Sequence, residues 1–175
     1  MKKKNKILHN KFGRTDLKKQ LAKESFKRIT LSFYKYVIIK NPANLRKKLF
    51  ITWADLGVRG RIYLANEGIN AQLSCPQPNL DMFVQSVNSI QEFKDVPFKI
   101  AVEENQTSFF KLTIKLKQQI VADGLIENEY DVTNVGKHLT AEQWNESMNN
   151  GAIVVDVRNH YESRIGHFKG AIKPD

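Results

Sequence analysis

A chain of 175 residues, 41% hydrophobic and 26% charged, has the make-up of a soluble globular protein with room for one large domain, or a small one plus a piece. No apolar run approaches the roughly 20 residues of a membrane-spanning helix, and one cysteine excludes an internal disulfide, which suits the cytoplasm. The net charge of +10 is uneven: residues 1–50 hold 16 Lys and Arg against 2 Asp and Glu, while residues 51–175 sum to −4. A front so basic points to a polyanion such as RNA, DNA or a membrane surface, or to a solvated arm that keeps the protein soluble.

Residues 1–28 are polar and lysine-dense, and no apolar stretch follows "MKKKNKILHNKFGR", so the start is no secretory signal. They read as a basic arm, with Lys2, Lys3, Lys4 and Lys6 as candidate phosphate contacts. Within it, "TDLKKQLAKESF" (15–26) predicts a short helix with Leu17 and Leu21 on one face and Thr15 or Asp16 as its cap. "ITLSFYKYVII" (29–39) alternates as a strand. "NPANLRKKLFITWADLG" (41–57) predicts a helix capped by Asn41, with Leu45, Leu49, Trp53 and Leu56 as its apolar stripe and Gly57 as its stop.

"GRIYLANEGINAQLS" (60–74) reads as a β-hairpin with Asn66, Glu67 and Gly68 in the turn; Gly68 supplies a positive φ, and Asn66 or Asn70 bonds the turn backbone. "PQPNLDMFVQSVNSI" (76–90) carries Leu80, Phe83, Val84 and Val87 at helical spacing, and "PFKIAVEE" (97–104) and "FFKLTIKLKQQIV" (109–121) read as strands. The order β-α-β-β-α-β plus an added strand predicts an α+β, ferredoxin-like domain over 29–121, an antiparallel sheet with two helices on one face. Residues 122–138, short of strong apolar positions and rich in acids, read as a linker.

A new unit opens at 139. Thr140 and Gln143 form a capping box for a short helix, Gly151 ends it, and "AIVVDV" reads as a central strand of a parallel sheet. Ligands of such sheets sit beyond the carboxyl ends of the strands, where Asp156, Arg158 and Asn159 lie. Arg158 and Glu162, four apart, are spaced to pair across a first helical turn. The 37 residues 139–175 are too few to bury a core alone, and a lone parallel strand leaves its backbone unpaired, so the sequence is expected to stop inside a domain.

These residues carry a resemblance. "LTAEQWNESMNNGAIVVDVRNHYESRIGHFKGA" resembles the opening of an α/β rhodanese domain, in a short helix, a strand ending Asp-Val-Arg, then Glu and Gly-His-x-x-Gly-Ala. "TLSFYKYV", "GRIYLANEGINAQLS", "IVADG" and "NVGKHL" are similar to the amino-terminal domain of the bacterial rhodanese-containing tRNA uridine hydroxylases. The two matches together cover residues 30 to 175. The resemblance implies a cytoplasmic oxidoreductase that hydroxylates C5 of the wobble uridine of tRNA, with molecular oxygen as co-substrate and no other cofactor evident. It also implies a reactive cysteine on a rhodanese loop, in a cradle of backbone N–H groups that stabilises the thiolate. No such cysteine is among the 175 residues; on this reading it lies beyond residue 175. Asp156, Arg158, Glu162 and His167 then order or line the rhodanese strand end.

The alternatives are a rhodanese-type sulfurtransferase and a non-catalytic RNA-binding module. Loss of 5-hydroxyuridine-derived bases against loss of thiolated bases in a deletion strain separates the two enzymes. Cys75, in "LSCPQP", has no His or clustered Lys beside it and reads as an inert thiol. His160 and His167 lack a metal-binding spacing and read as cap or loop hydrogen-bonding groups, so no metal site is expected. Arg59 and Arg61, at the start of the hairpin, are candidate tRNA contacts. Tyr34, Tyr36, Phe109 and Phe110 read either as core or as stacking platforms for unpaired bases.

Overall fold

The computed structural model describes residues 12–101, 109–121, 131, 134 and 136–174. Lys2, Lys3, Lys4 and Lys6 lie outside the described residues, as does most of 122–138. The chain forms two compact units, Met1–Asn134 and Val135–Asp175.

The first unit runs α1 (Arg14–Ala22), β1 (Arg28–Tyr36), α2 (Pro42–Asp55), β2 (Arg59–Ala65), β3 (Gly68–Pro76), α3 (Leu80–Asn88), β4 (Lys99–Ile100) and β5 (Leu112–Leu116). Helix α1 starts one residue before Thr15, with Gly13 as its N-cap, so neither Thr15 nor Asp16 caps it. Asn41 does cap α2: its side-chain oxygen accepts from Asn44 N at 2.9 Å, and Pro42 takes the first helical position, where its missing N–H costs nothing. After α2 the backbone turns left-handed at Gly57, φ 73°.

Asn66 and Glu67 alone make the hairpin turn. Gly68 is the first residue of β3, opposite Ala65 on β2 and Tyr36 on β1. The turn's carbonyls then serve the chain leaving β1, with Glu67 O accepting from Val37 N and Asn66 O from Ile39 N.

Strand order is β4-β1-β3-β2-β5. The first four strands pair antiparallel throughout, the ferredoxin-like arrangement the element order predicts. The added strand departs from it: β5 pairs parallel to β2, Gly60 against Leu112 through Leu64 against Leu116, so the sheet is mixed. The reason is topological. Strand β5 sits on the edge opposite β4, where the open side of β2 is the hydrogen-bonding partner left.

Period-2 alternation sorts the side chains. Leu31, Phe33, Ile62, Leu64, Ile69, Ala71, Leu73, Cys75, Leu112 and Ile114 point to the helical side and are buried. Leu49 and Trp53 of α2 and Phe83 and Val87 of α3 complete that core. Trp53 packs its ring 5.3 Å from Phe83 and 6.4 Å from Phe33, and its indole N–H donates to Ser86 Oγ at 3.1 Å. Burying so large a ring requires a partner for its one polar atom, and Ser86 is that partner.

The second unit holds α4 (Ala141–Asn149) and α5 (His160–Ile165). The Thr140–Gln143 capping box is present, with reciprocal bonds of 3.3 and 3.1 Å. The strand expected over 152–157 is reduced to one parallel bridge, Val155 with Ile172. Asp156 N donates to Ile172 O and Ile172 N to Val154 O, both at 2.8 Å. Ile153, Val155 and Val157 are exposed at 79%, 49% and 84%, so the apolar run is not a buried central strand among the described residues.

Candidate nucleic-acid interface

The same alternation that buries one face of the sheet loads the other with polar and basic groups. Register places Lys99, Ser32, Gln72, Arg61 and Thr113 in one row across all five strands. The next row holds Tyr34, Asn70, Tyr63 and Lys115. Arg61, Lys99 and Lys115 are exposed, and Tyr34 is 48% exposed. Lys99 Nζ lies 5.9 Å from the Tyr34 ring centroid, and Lys117 Nζ lies 5.5 Å from that of Tyr63. Among the described residues, no outward position of the five strands carries an acid. Such a surface attracts phosphates and offers ring faces to bases.

Two segments lie against this strip. Phe109 lines a cavity with Thr30, Ser32, Gln72 and Lys99 and another with Arg61 and Thr113, so it rests over the middle of the outer face. At the other end Ile120 is buried; its N–H donates to Glu67 Oε1 at 2.6 Å and its carbonyl accepts from Asn70 Nδ2 at 3.5 Å. Phe110, a candidate platform by sequence, instead takes the Lys18 ammonium 5.8 Å from its centroid, beside α1.

Arg59 and Arg61 share the face but not the role. Arg61 is exposed, whereas the Arg59 side chain is 14% exposed and donates to Glu24 Oε1 at 2.6 Å. Glu24 also takes Arg28 Nε at 2.8 Å, and Arg28, 2% exposed, donates further to the Gly57 and Ser74 carbonyls. Burial, and then repulsion from Arg28, pull the Arg59 guanidinium below its ordinary pKa, against the opposing pull of Glu24. One carboxylate thus holds two guanidinium groups.

In the second unit three of the four sequence candidates, Asp156, Arg158 and His167, line one cavity, and Glu162 does not. Arg158 forks onto Asp156, Nε to Oδ1 at 2.8 Å and Nη2 to Oδ2 at 2.7 Å, and Nη2 also donates to Gly166 O at 2.6 Å. Glu162 is not the partner of Arg158 that the four-residue spacing suggests. It caps α5, accepting from Asn159 N at 3.1 Å and Asn159 Nδ2 at 2.8 Å. The reason is that Arg158 precedes the helix, so the i,i+4 ridge does not reach it. His167 Nδ1 lies 2.8 Å from Ser163 O, as a donor. Asp156, Arg158 and His167 line a cavity of about 560 Å³ with Trp144 and Phe168, whose rings are 5.1 Å apart.

The Arg158 hydrogen bonds hold the Asp156 carboxyl at about 2, below its ordinary value. A carboxylate so lowered contributes its pairing fully above about 3.9, and the contribution fades as pH falls toward 2. An NMR titration of Asp156 is expected to place its midpoint near 2, and Arg158→Ala to return it to the ordinary carboxylate range.

Cys75 faces the core at 0% exposure, and burial raises its thiol to about 11 despite the nearby Arg28 charge. At neutral pH it is a thiol, not a thiolate. The native chain is expected to resist a disulfide-exchange reagent that labels it promptly once urea unfolds the first unit. Among the described residues, no three His, Cys, Asp or Glu side chains gather as a metal site, and no helix is long and apolar enough to cross a membrane.

Sequence reasoning missed Tyr63, Gln72, Lys99, Lys115 and Lys117 as members of this face. The signal was present for Tyr63, which alternates with Ile62 and Leu64 just as Arg61 does.

The family of the UPF0176 acylphosphatase-like domain matches residues 28–120, the segment that builds this sheet. The tRNA uridine(34) hydroxylase of Leptospira interrogans serogroup Icterohaemorrhagiae serovar Lai is 57% identical over 98% of this chain and 47% of its own length. The proteins of the same name from Hamiltonella defensa and Salmonella typhimurium are each 41% identical over 95% of this chain and 48% of theirs. The chain therefore spans about half the length of the curated relatives it matches. With just over half of its residues inside the matched segment, and the sheet those residues form, the chain belongs to the family of the UPF0176 acylphosphatase-like domain.

Proposed function

We propose that the protein hydroxylates uridine 34 of tRNA at C5 in the cytoplasm, with molecular oxygen as co-substrate, and that the first unit holds the tRNA. The observation that carries this reading is identity of 57% across nearly the whole chain to a tRNA uridine(34) hydroxylase. The basic outer face of the sheet supports it, because a tRNA-modifying enzyme needs a surface that neutralises phosphates away from its reacting atoms. The chain's one cysteine, Cys75, is buried and protonated, so the reading assigns the nucleophile to that part of the relatives' length outside these residues, on a rhodanese loop.

Nucleoside analysis of tRNA from a strain lacking the gene tests the reading. Loss of 5-hydroxyuridine and the bases derived from it, restored by the gene on a plasmid, is the expected result. Loss of thiolated bases with 5-hydroxyuridine intact would assign a sulfurtransferase instead, and an unchanged nucleoside profile would leave a binding module.

A further inference from the structure

The outer face is more than a patch of positive charge. Tyr34 and Tyr63 lie on β1 and β2, on either side of Asn70 on β3, so two strand spacings, roughly 10 Å, separate their backbones. The neighbouring row offers the Gln72 amide on β3 and the Arg61 guanidinium on β2. Lys99 and Lys115 mark the two edges of the sheet, about 19 Å apart across four spacings. Aromatic rings in the middle and cations at both ends suit one ligand chemistry. Phosphates sit at the rim and bases on the rings.

We propose that this strip binds an unpaired segment of RNA, with successive bases stacked on Tyr34 and Tyr63. The proposal rests on the reading of tRNA as substrate, and it specifies which part of a tRNA the first unit grips. A duplex hides its base faces in the stack and meets a protein mainly through phosphates and 2′-hydroxyls, which this arrangement of rings does not match. A single-stranded loop exposes the faces that two tyrosines can hold, and stacking is worth about tenfold in affinity, or more, per base. In the free chain the Lys99 and Lys117 ammonium groups lie over the tyrosine rings. Their long stems let them swing to phosphates when bases take those places. Arg61, exposed and without the Glu24 tether of Arg59, adds a phosphate contact from the neighbouring row.

Fluorescence anisotropy with the full chain tests this, using an anticodon stem-loop RNA and a hairpin-free duplex of equal length as probes. The expected result is tighter binding of the stem-loop. Tyr34→Leu and Tyr63→Leu should each weaken it about tenfold while leaving the salt slope unchanged. Tyr34→Phe, which keeps the ring, should bind as the natural chain does. Arg61→Ala should weaken both probes and lower the salt slope by about one. Thermal unfolding screens each variant; should Tyr63→Leu unfold, the half-exposed Tyr34 decides alone. Equal binding of both probes, with the tyrosine variants silent, would overturn the stacking strip and leave tRNA binding standing as a purely electrostatic contact. No binding of either probe at low salt would overturn the strip together with the assignment of tRNA holding to the first unit. An unchanged nucleoside profile in the deletion strain would instead overturn the hydroxylase reading.

Discussion

Replacing Glu24 with glutamine is expected to lower the stability of the first unit by about 3–5 kcal/mol in urea unfolding. The carboxylate sits between Arg28 and Arg59, whose side chains are 2% and 14% exposed, at 2.8 and 2.6 Å. Arg28 also donates to the backbone carbonyls of Ser74 and Gly57, at 3.1 and 2.7 Å, so swinging out to water would break both bonds. With glutamine, two guanidinium charges face each other in a poorly hydrated site with no counter-charge. Burial and the Arg28 charge already pull the Arg59 guanidinium below its ordinary pKa, and the Glu24 carboxylate opposes them. The instructive contrast is the replacement of all three groups, Glu24→Leu with Arg28→Met and Arg59→Leu. Removing a buried ionic group whole is often neutral, whereas removing one member is not. A loss below about 1 kcal/mol for the single variant would show that water reaches the pair and that the cluster is a surface contact.

The second large effect is expected at Gly68. A Cβ at this position would lie 2.1 Å from Lys35 O and 3.1 Å from Tyr36 Cα, both backbone, and φ is +149°. Neither strand can give way. Gly68 pairs with Tyr36 and Ala65 at once, and the adjacent turn carbonyls hold Val37 and Ile39. Gly68→Ala is therefore expected to cost about 3 kcal/mol or more, by the combined backbone strain and overpacking. Gly166→Ala, where φ is extended and no atom lies within 4 Å of the new methyl, should stay within about 0.5 kcal/mol. Thermal melts of the two variants side by side check this, and equal behaviour would contradict the close approach.

Much of this fold was legible in the sequence because it depends on local patterns. Ile62 and Leu64 alternating with Tyr63 gave the hairpin strand, and Asn41-Pro42 gave the start of α2. What was not legible depends on distant partners. The parallel pairing of β5 follows from which sheet edge is open, and nothing within "LTIKL" encodes that. The separation of Arg59 from Arg61 follows from Glu24, 35 residues earlier, reaching the first of them. Spacing alone put Arg158 with Glu162; the fork onto Asp156 appears only once the chain leaves the strand end before the helix begins. "AIVVDV" had the composition of a central strand, but composition supplies no neighbour, and its described ladder is the single bridge to Ile172.

If the outer sheet face of the first unit is the RNA-facing surface, NMR mapping of the labelled chain with an anticodon stem-loop will show it. Amide and side-chain perturbations are expected at Ser32, Tyr34, Arg61, Tyr63, Gln72 and Lys115, with α2 and α3 quiet. Perturbations clustered on α2 and α3 with those strand positions unmoved would contradict it.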